Sequence, residues 1–360
     1  MQAMVITGMH RSGTSLVASL FNKAGVQLGS TLIAPRENDN PRGFFEDAEF
    51  VEFHQALLHA RGQEILVARD FVLQPDASET ARARALISAR ANQPLWGWKD
   101  PRTCLVLNFW DALLSDARYV LVYRHPFDVT LSLARREQVV GFDLYAGLEA
   151  WYAYNRALLQ FARAHPARVV LCSSYAIVEH IEIFNDALEK KLNLRLSLDA
   201  ALRDEIFSDE LLRRPAHTRA TENILRLIHP EAMQLYDELQ TRADLPCQEI
   251  LADASDAQNA LLQFAQTLVP APAPGQCRAL AHMLVAVTQP DLYERISRAH
   301  IQQTVKLDAQ RRAWQETARA REIALREQSD WALPRLKYLE TLEANRAVRA
   351  LVRLGILPRG

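Results

Sequence analysis

Residues 6–16 read ITGMHRSGTSL, and their pattern decides the fold. Ala3 to Thr7 (AMVIT) are short, apolar and partly β-branched, which is strand composition, whereas Leu16, Val17, Leu20 and Phe21 recur at helical spacing. The order is strand, turn, helix. Between them, Gly8-x4-Gly13-Thr14-Ser15 keeps the frame of the phosphate loop GxxxxGK[ST], with threonine where lysine belongs. Glycines let the backbone approach an anion, successive N–H groups converge on it, and the helix starting near Thr14 adds its positive end. The missing lysine weakens any case for γ-phosphoryl transfer, which needs that charge on the β/γ-phosphates together with Mg²⁺. Arg11 brings positive charge from inside the loop, and a guanidinium fork suits a terminal phosphate or sulfate. His10, Arg11, Ser12, Gly13, Thr14 and Ser15 are therefore the first candidate anion site.

The chain has 360 residues, enough for a large core and two domains. With 49% hydrophobic and 24% charged residues it has the make-up of a globular protein, and a net charge of −1 argues against bulk nucleic-acid binding. Cys104, Cys172, Cys247 and Cys277 fit neither a metal spacing nor a disulfide framework, and the histidines show no ligand spacing, so reduced thiols and no metal are expected. The first strand begins at about the third residue, with no signal-like stretch before it and no run of membrane-span length after it; the expected compartment is the cytoplasm.

Four strands are expected: AMVIT (3–7), PLWGWK (94–99), RYVLVY (118–123) and RVVLCS (168–173). Helices are expected near 14–24, 47–61, 76–91, 103–115, 126–138, 143–165 and 176–192. Strands separated by helices pair in parallel with both sheet faces covered, and such sheets bind ligands at their strands' carboxyl ends. The expected fold class is α/β, a three-layer P-loop-type fold with a mostly parallel sheet and a helical C-terminal extension. Residues 1–215 form the α/β domain, 216–330 a helical region interrupted by PAPAPG at 270–275, and 331–360 a basic amphipathic tail. One long helix is expected over 292–330, without a sustained heptad, so oligomerisation through it stays open. The tail, with Val348, Leu351 and Val352 beside Arg346, Arg349 and Arg353, suits either packing on the protein or peripheral contact with an anionic membrane.

In RYVLVYRHPFDVTLSLARR, Arg124 follows a buried strand, Pro126 fixes the first turn of a helix, and Ser132 lies eight residues past the arginine. Eight residues are about two helical turns, so the two side chains can meet one ligand group. Arg124 pairing with a surface acid and Ser132 as an ordinary helix hydroxyl is the plainer reading of that stretch alone. A phosphate cradle after one strand and an arginine/serine clamp after another suit a ligand with two separate phosphate groups.

This pair resembles the sulfotransferase superfamily, whose donor is 3′-phosphoadenosine 5′-phosphosulfate. The resemblance spans about residues 1–215 and includes NPRGFFED (40–47) and WGWKDPR (96–102), which look like its bacterial branch. It implies that the first loop takes the 5′ group and that Arg124 and Ser132 take the 3′-phosphate. Leu16 stands where cytosolic members carry an aromatic residue, and Tyr175 in SSYAIVEH is what remains of a Tyr-Glu-Asp element, assigned here to the donor site.

Sulfuryl transfer to a hydroxyl needs a base at the acceptor and positive charge at the bridging oxygen. Glu46, beside two phenylalanines, is the candidate base, since partial desolvation raises a carboxyl pKa. A first-turn helix acid is its plainer role, and Asp47 and His54 are reserves. The resemblance gives the lysine of WGWKDPR, Lys99, the leaving-group role, and Arg102 is placed to orient an anionic acceptor. The implied reaction carries a sulfuryl group to a hydroxyl of a saccharide or glycolipid, without metal. The alternatives are a nucleotide kinase or NTPase, using Asp111 of LVLNFWD as its magnesium acid, and an inert scaffold of the same fold.

Overall fold

The computed structural model describes residues 2–35, 43–90, 92–135, 143–207, 217–248, 251–268, 272–344 and 346–354. Residues 40–42 of NPRGFFED, 270–271 of PAPAPG, 355–360 of the tail and the expected boundary near 215 lie outside the described residues.

Four parallel strands, β1 (Gln2–Thr7), β2 (Leu95–Lys99), β3 (Arg118–Tyr123) and β4 (Val169–Ser173), lie in the order β2-β1-β3-β4. Each expected strand is present within a residue of its expected bounds. The helices between them are α1 (Thr14–Lys23), α2 (Ala48–His59), α3 (Ala77–Ser88), α4 (Leu107–Leu113), α5 (Pro126–Ala134) and α6 (Leu144–Ala164). A 3₁₀ turn, Pro101–Val106, takes the start of the helix expected at 103–115, because Pro101 fixes its first residue and Asp100 caps it. After β4 come α7 (Ser174–Glu179), α8 (Ile181–Leu192) and α9 (Ala200–Ile206).

Side chains alternate across the sheet, and both faces are apolar. Met4, Ile6, Val120, Val122, Val170 and Cys172 join a core with α1 and α8. Ala3, Val5, Tyr119, Leu121, Val169 and Leu171 join a larger one with α2, α5 and α6. The sheet is thus the middle of three layers. The register sets Ile6 beside Lys99 and Thr7 beside Leu121, so the ends of β1, β2 and β3 share one edge. Order reverses between β1 and β3, which is where ligands of open parallel sheets gather.

The chain divides into two compact units, Met1–Ile296 and Ser297–Gly360. Within the first, a two-stranded ribbon, β5 (His217–Thr218) and β6 (Leu251–Ala252), is joined by α10 (Arg219–Ile228), α11 (Pro230–Arg242), α12 (Asp256–Gln266) and α13 (Pro274–Thr288). α11 and α13 pack on α6, so residues after the expected boundary build onto the sheet layer. The second unit is helical. It takes in most of α14 (Pro290–Ala344), which runs through Pro334 and past both expected ends, and α15 (Arg346–Arg353). Among the described residues no helix is long and apolar enough to cross a membrane.

Candidate functional site

The 8–15 loop leaves β1 and enters α1 under tight backbone constraint. A Cβ at Gly8 would lie 2.0 Å from the Val122 carbonyl oxygen, so only glycine lets β1 leave the sheet this close to β3. Gly13 caps α1 with φ of 92°, and Arg11 also lies in the left-handed region at 69°. A non-glycine residue held there marks a place where the surroundings fix the backbone. No side chain caps α1, unlike α2, α3, α5 and α6. The buried Ser12 hydroxyl in the loop has no partner among the described residues. An uncapped helix start with an orphaned hydroxyl beside it suits a bound anion.

The edge of β2 supplies Lys99. Its ammonium, buried among the loop and the 43–47 segment, donates to Glu46 Oε1 at 2.6 Å and to Ser15 Oγ at 3.2 Å. Glu46 is held from its backbone: Ile33 N–H donates to its carbonyl at 2.8 Å, and Phe45 before it has φ of 54°. Glu46, Lys99, Arg102, His10, Arg11, Thr14 and Ser15 line one cleft with Phe44 and Gln55. Asp47 turns away, capping α2 and accepting from Arg90 at 2.5 and 3.1 Å. The reserve base His54 is also committed elsewhere. Trp110 N–H donates to its Nε2 at 2.9 Å, which places the imidazole hydrogen on Nδ1, facing Asp100 Oδ2 at 3.0 Å.

Asp100, at the turn after Lys99, accepts from the Arg102 guanidinium at 2.9 Å. Burial opposes its charge, but Arg102 and His54 outweigh it and hold its carboxyl well below the usual range. Lys99 and Asp100, adjacent in the chain, therefore do not pair with each other, because each has a different buried partner.

The second clamp meets the first through Arg11, whose Nε donates to Ser132 Oγ at 2.9 Å. Arg124 donates from Nε to the Tyr175 hydroxyl at 2.7 Å and from Nη1 to the Arg11 carbonyl at 3.3 Å. Ser132 and Arg124 thus both contact Arg11, Ser132 through its guanidinium and Arg124 through its carbonyl, while Arg124 also takes Tyr175. Sequence reasoning missed what lies behind them. Tyr175 donates to Asp128 Oδ2 at 2.7 Å, and Asp128 Oδ1 faces His217 Nε2 at 2.8 Å. His217 Nδ1 in turn faces Glu222 Oε1 at 3.1 Å, as does His125 Nε2 at 3.2 Å.

With a carboxylate on each nitrogen, His217 is an imidazolium. Burial works against its charge, but the hydrogen bonds to Asp128 and Glu222 prevail and push its pKa up to about 9. Among the described residues, His125, His217 and Glu222 alone bring three ligand-type atoms within 4.8 Å of one another. Phe127 N–H donates to His125 Nδ1 at 3.3 Å, so His125 turns an N–H, not a lone pair, toward Glu222. The trio therefore reads as a charge cluster. Its only sequence signal was the His-Pro step after β3, since His217 lies 89 residues from Asp128.

Asp111, the magnesium acid of the kinase alternative, pairs with Arg168 at 2.6 Å. Arg168 immediately precedes β4, so this pair occupies the edge of the sheet opposite the loop.

A family model described as the sulfotransferase family matches residues 3–179. The α/β segment that carries the loop, Lys99, Arg124 and Tyr175 belongs to the sulfotransferase superfamily. No curated protein matches the chain.

Proposed function

We propose that the chain transfers a sulfuryl group from 3′-phosphoadenosine 5′-phosphosulfate to an acceptor hydroxyl. The observation that carries this reading is the hydrogen bond from Arg11 to Ser132, which joins the loop at β1 to the clamp after β3 and makes one cationic edge. His10, Arg11, Ser12, Gly13, Thr14 and Ser15 would hold the 5′-phosphosulfate, and Arg124, Ser132 and Tyr175 the 3′-phosphate. The donor set fits: two arginines, a lysine, several hydroxyls and an uncapped helix start suit two separate anionic groups. The donor supplies an activated sulfuryl group whose leaving group is a phosphate.

Glu46 takes the acceptor proton, since among the described residues it is the carboxylate that lines the cleft. Lys99 sets its charge beside Ser15, where the leaving phosphate oxygen gains negative charge. Arg102 orients the acceptor, a saccharide or lipid-linked glycan in this reading, and no metal takes part. We place the reaction in the cytoplasm, with peripheral membrane contact through the basic tail and oligomerisation through the C-terminal helices.

The test is calorimetric titration with adenosine 3′,5′-bisphosphate, and with ATP in the presence and absence of magnesium. Magnesium-independent binding of the bisphosphate alone is expected. Preference for magnesium-ATP would move the chain to the kinases, and binding of neither would make it a scaffold.

A further inference from the structure

We propose that Asp128 and His217 are positioning residues for the 3′-phosphate clamp, with His217 holding Asp128 so that it does not neutralise Arg124. This rests on the donor reading above and extends it to a residue outside the sulfotransferase-family segment, which ends at residue 179.

Asp128 lies one helical turn past Arg124, and its Oδ2 is 3.7 Å from Arg124 Nε. The two form an ion pair at that distance, and direct hydrogen-bonded contact would strengthen it. Here both carboxylate oxygens are occupied. Oδ2 accepts from Tyr175, which itself accepts from Arg124, and Oδ1 is bound to the His217 ring. Asp128 and Tyr175 are buried and His217 nearly so, which makes their charges and hydrogen bonds strong and their geometry exclusive. The hydroxyl of Tyr175 thus stands between guanidinium and carboxylate as a spacer. Glu222 and His125 close the cluster behind His217, and the Phe127 ring packs against it. The imidazolium balances Asp128 from one side and limits how far the carboxylate draws on the arginine's charge. Loss of the ring would leave Oδ1 without that donor, and among the described residues Arg124, with Nε 3.7 Å from Oδ2, is a cation able to supply one.

The experiment compares the affinities of adenosine 3′,5′-bisphosphate and adenosine 5′-phosphate in the full-length protein and in H217A, H217Q, D128N and the double variant H217A/D128N. The ratio of the two affinities reads the 3′-phosphate alone. H217A is expected to reduce that ratio about tenfold, with adenosine 5′-phosphate binding changed less than twofold. H217Q, which keeps one donor for Asp128, falls between. The double variant regains the ratio that H217A loses, because no carboxylate remains to capture Arg124; a purely structural role for His217 would produce further loss instead. An unchanged ratio in H217A and H217Q, or no recovery in the double variant, overturns the positioning role while leaving the donor site standing. If the unaltered protein shows no preference for the bisphosphate, the donor reading fails and this inference falls with it.

Discussion

Lys99 Nζ lies 2.6 Å from Glu46 Oε1, although 53 residues separate them in the chain. The pair unites the end of β2 with the segment before α2 and faces Ser15 of the anion loop. In the proposed reaction one partner removes a proton from the acceptor while the other stabilises the leaving oxygen. In that reading the two groups are in contact before substrates arrive.

Glu46→Gln keeps the side-chain shape and a hydrogen-bond acceptor for Lys99 but removes the base. Bisphosphate binding is expected to stay within a few-fold, while turnover falls about 10²- to 10⁴-fold. Single-turnover sulfuryl transfer beside calorimetry checks this; normal turnover would reassign the base.

Arg124→Ala removes the cation that Tyr175 and the Arg11 carbonyl orient. Charge-assisted hydrogen bonds contribute on the order of 1.5–3 kcal/mol, so adenosine 3′,5′-bisphosphate should lose about 10- to 100-fold in affinity and approach adenosine 5′-phosphate. Competition between the two nucleotides on the variant measures it. Retained discrimination would take Arg124 out of the donor site.

Arg90→Ala leaves Asp47 buried with its charge unpaired behind the cleft. Breaking such a pair costs about 3–5 kcal/mol, so the melting temperature should drop by several degrees. Donor affinity, measured well below the transition, should not change, because Arg90 does not line the cleft. Unaltered stability would mean that Asp47 is solvated and does not need its partner.

The His217 cluster makes stability depend on pH. With a folded pKa of about 9 against an ordinary value near 6.5, His217 stabilises the fold fully below about pH 6.5, and this is lost as pH rises through 9. Asp128 and Glu222 sit below the usual carboxylate range, so their contribution is present above about pH 4.5 and lost on acidification. Comparing thermal unfolding of the unaltered protein with H217Q from pH 6 to pH 10 isolates the histidine. The gap between them is expected to narrow as pH rises; a constant gap would show that the ring is not charged.

The sequence by itself determined the α/β class, the four strands and the loop frame, because these depend on local pattern: alternation, helical spacing, and glycines where the backbone turns. It also made Lys99 and Arg124 legible, since a charged residue directly after a buried strand must emerge at the sheet's edge. Only the tertiary structure decided which charges pair. Asp47 and Glu46 are adjacent in sequence, yet one is locked to Arg90 and the other faces the cleft, because Asp47 caps the start of α2 and the chain turns there. His217 reached Asp128 only when the ribbon after α9 folded back on α5, a contact that no spacing encodes. Local pattern fixes where a side chain emerges; the partner it meets depends on chain segments that approach from far away, and the buried charges make that choice energetically large.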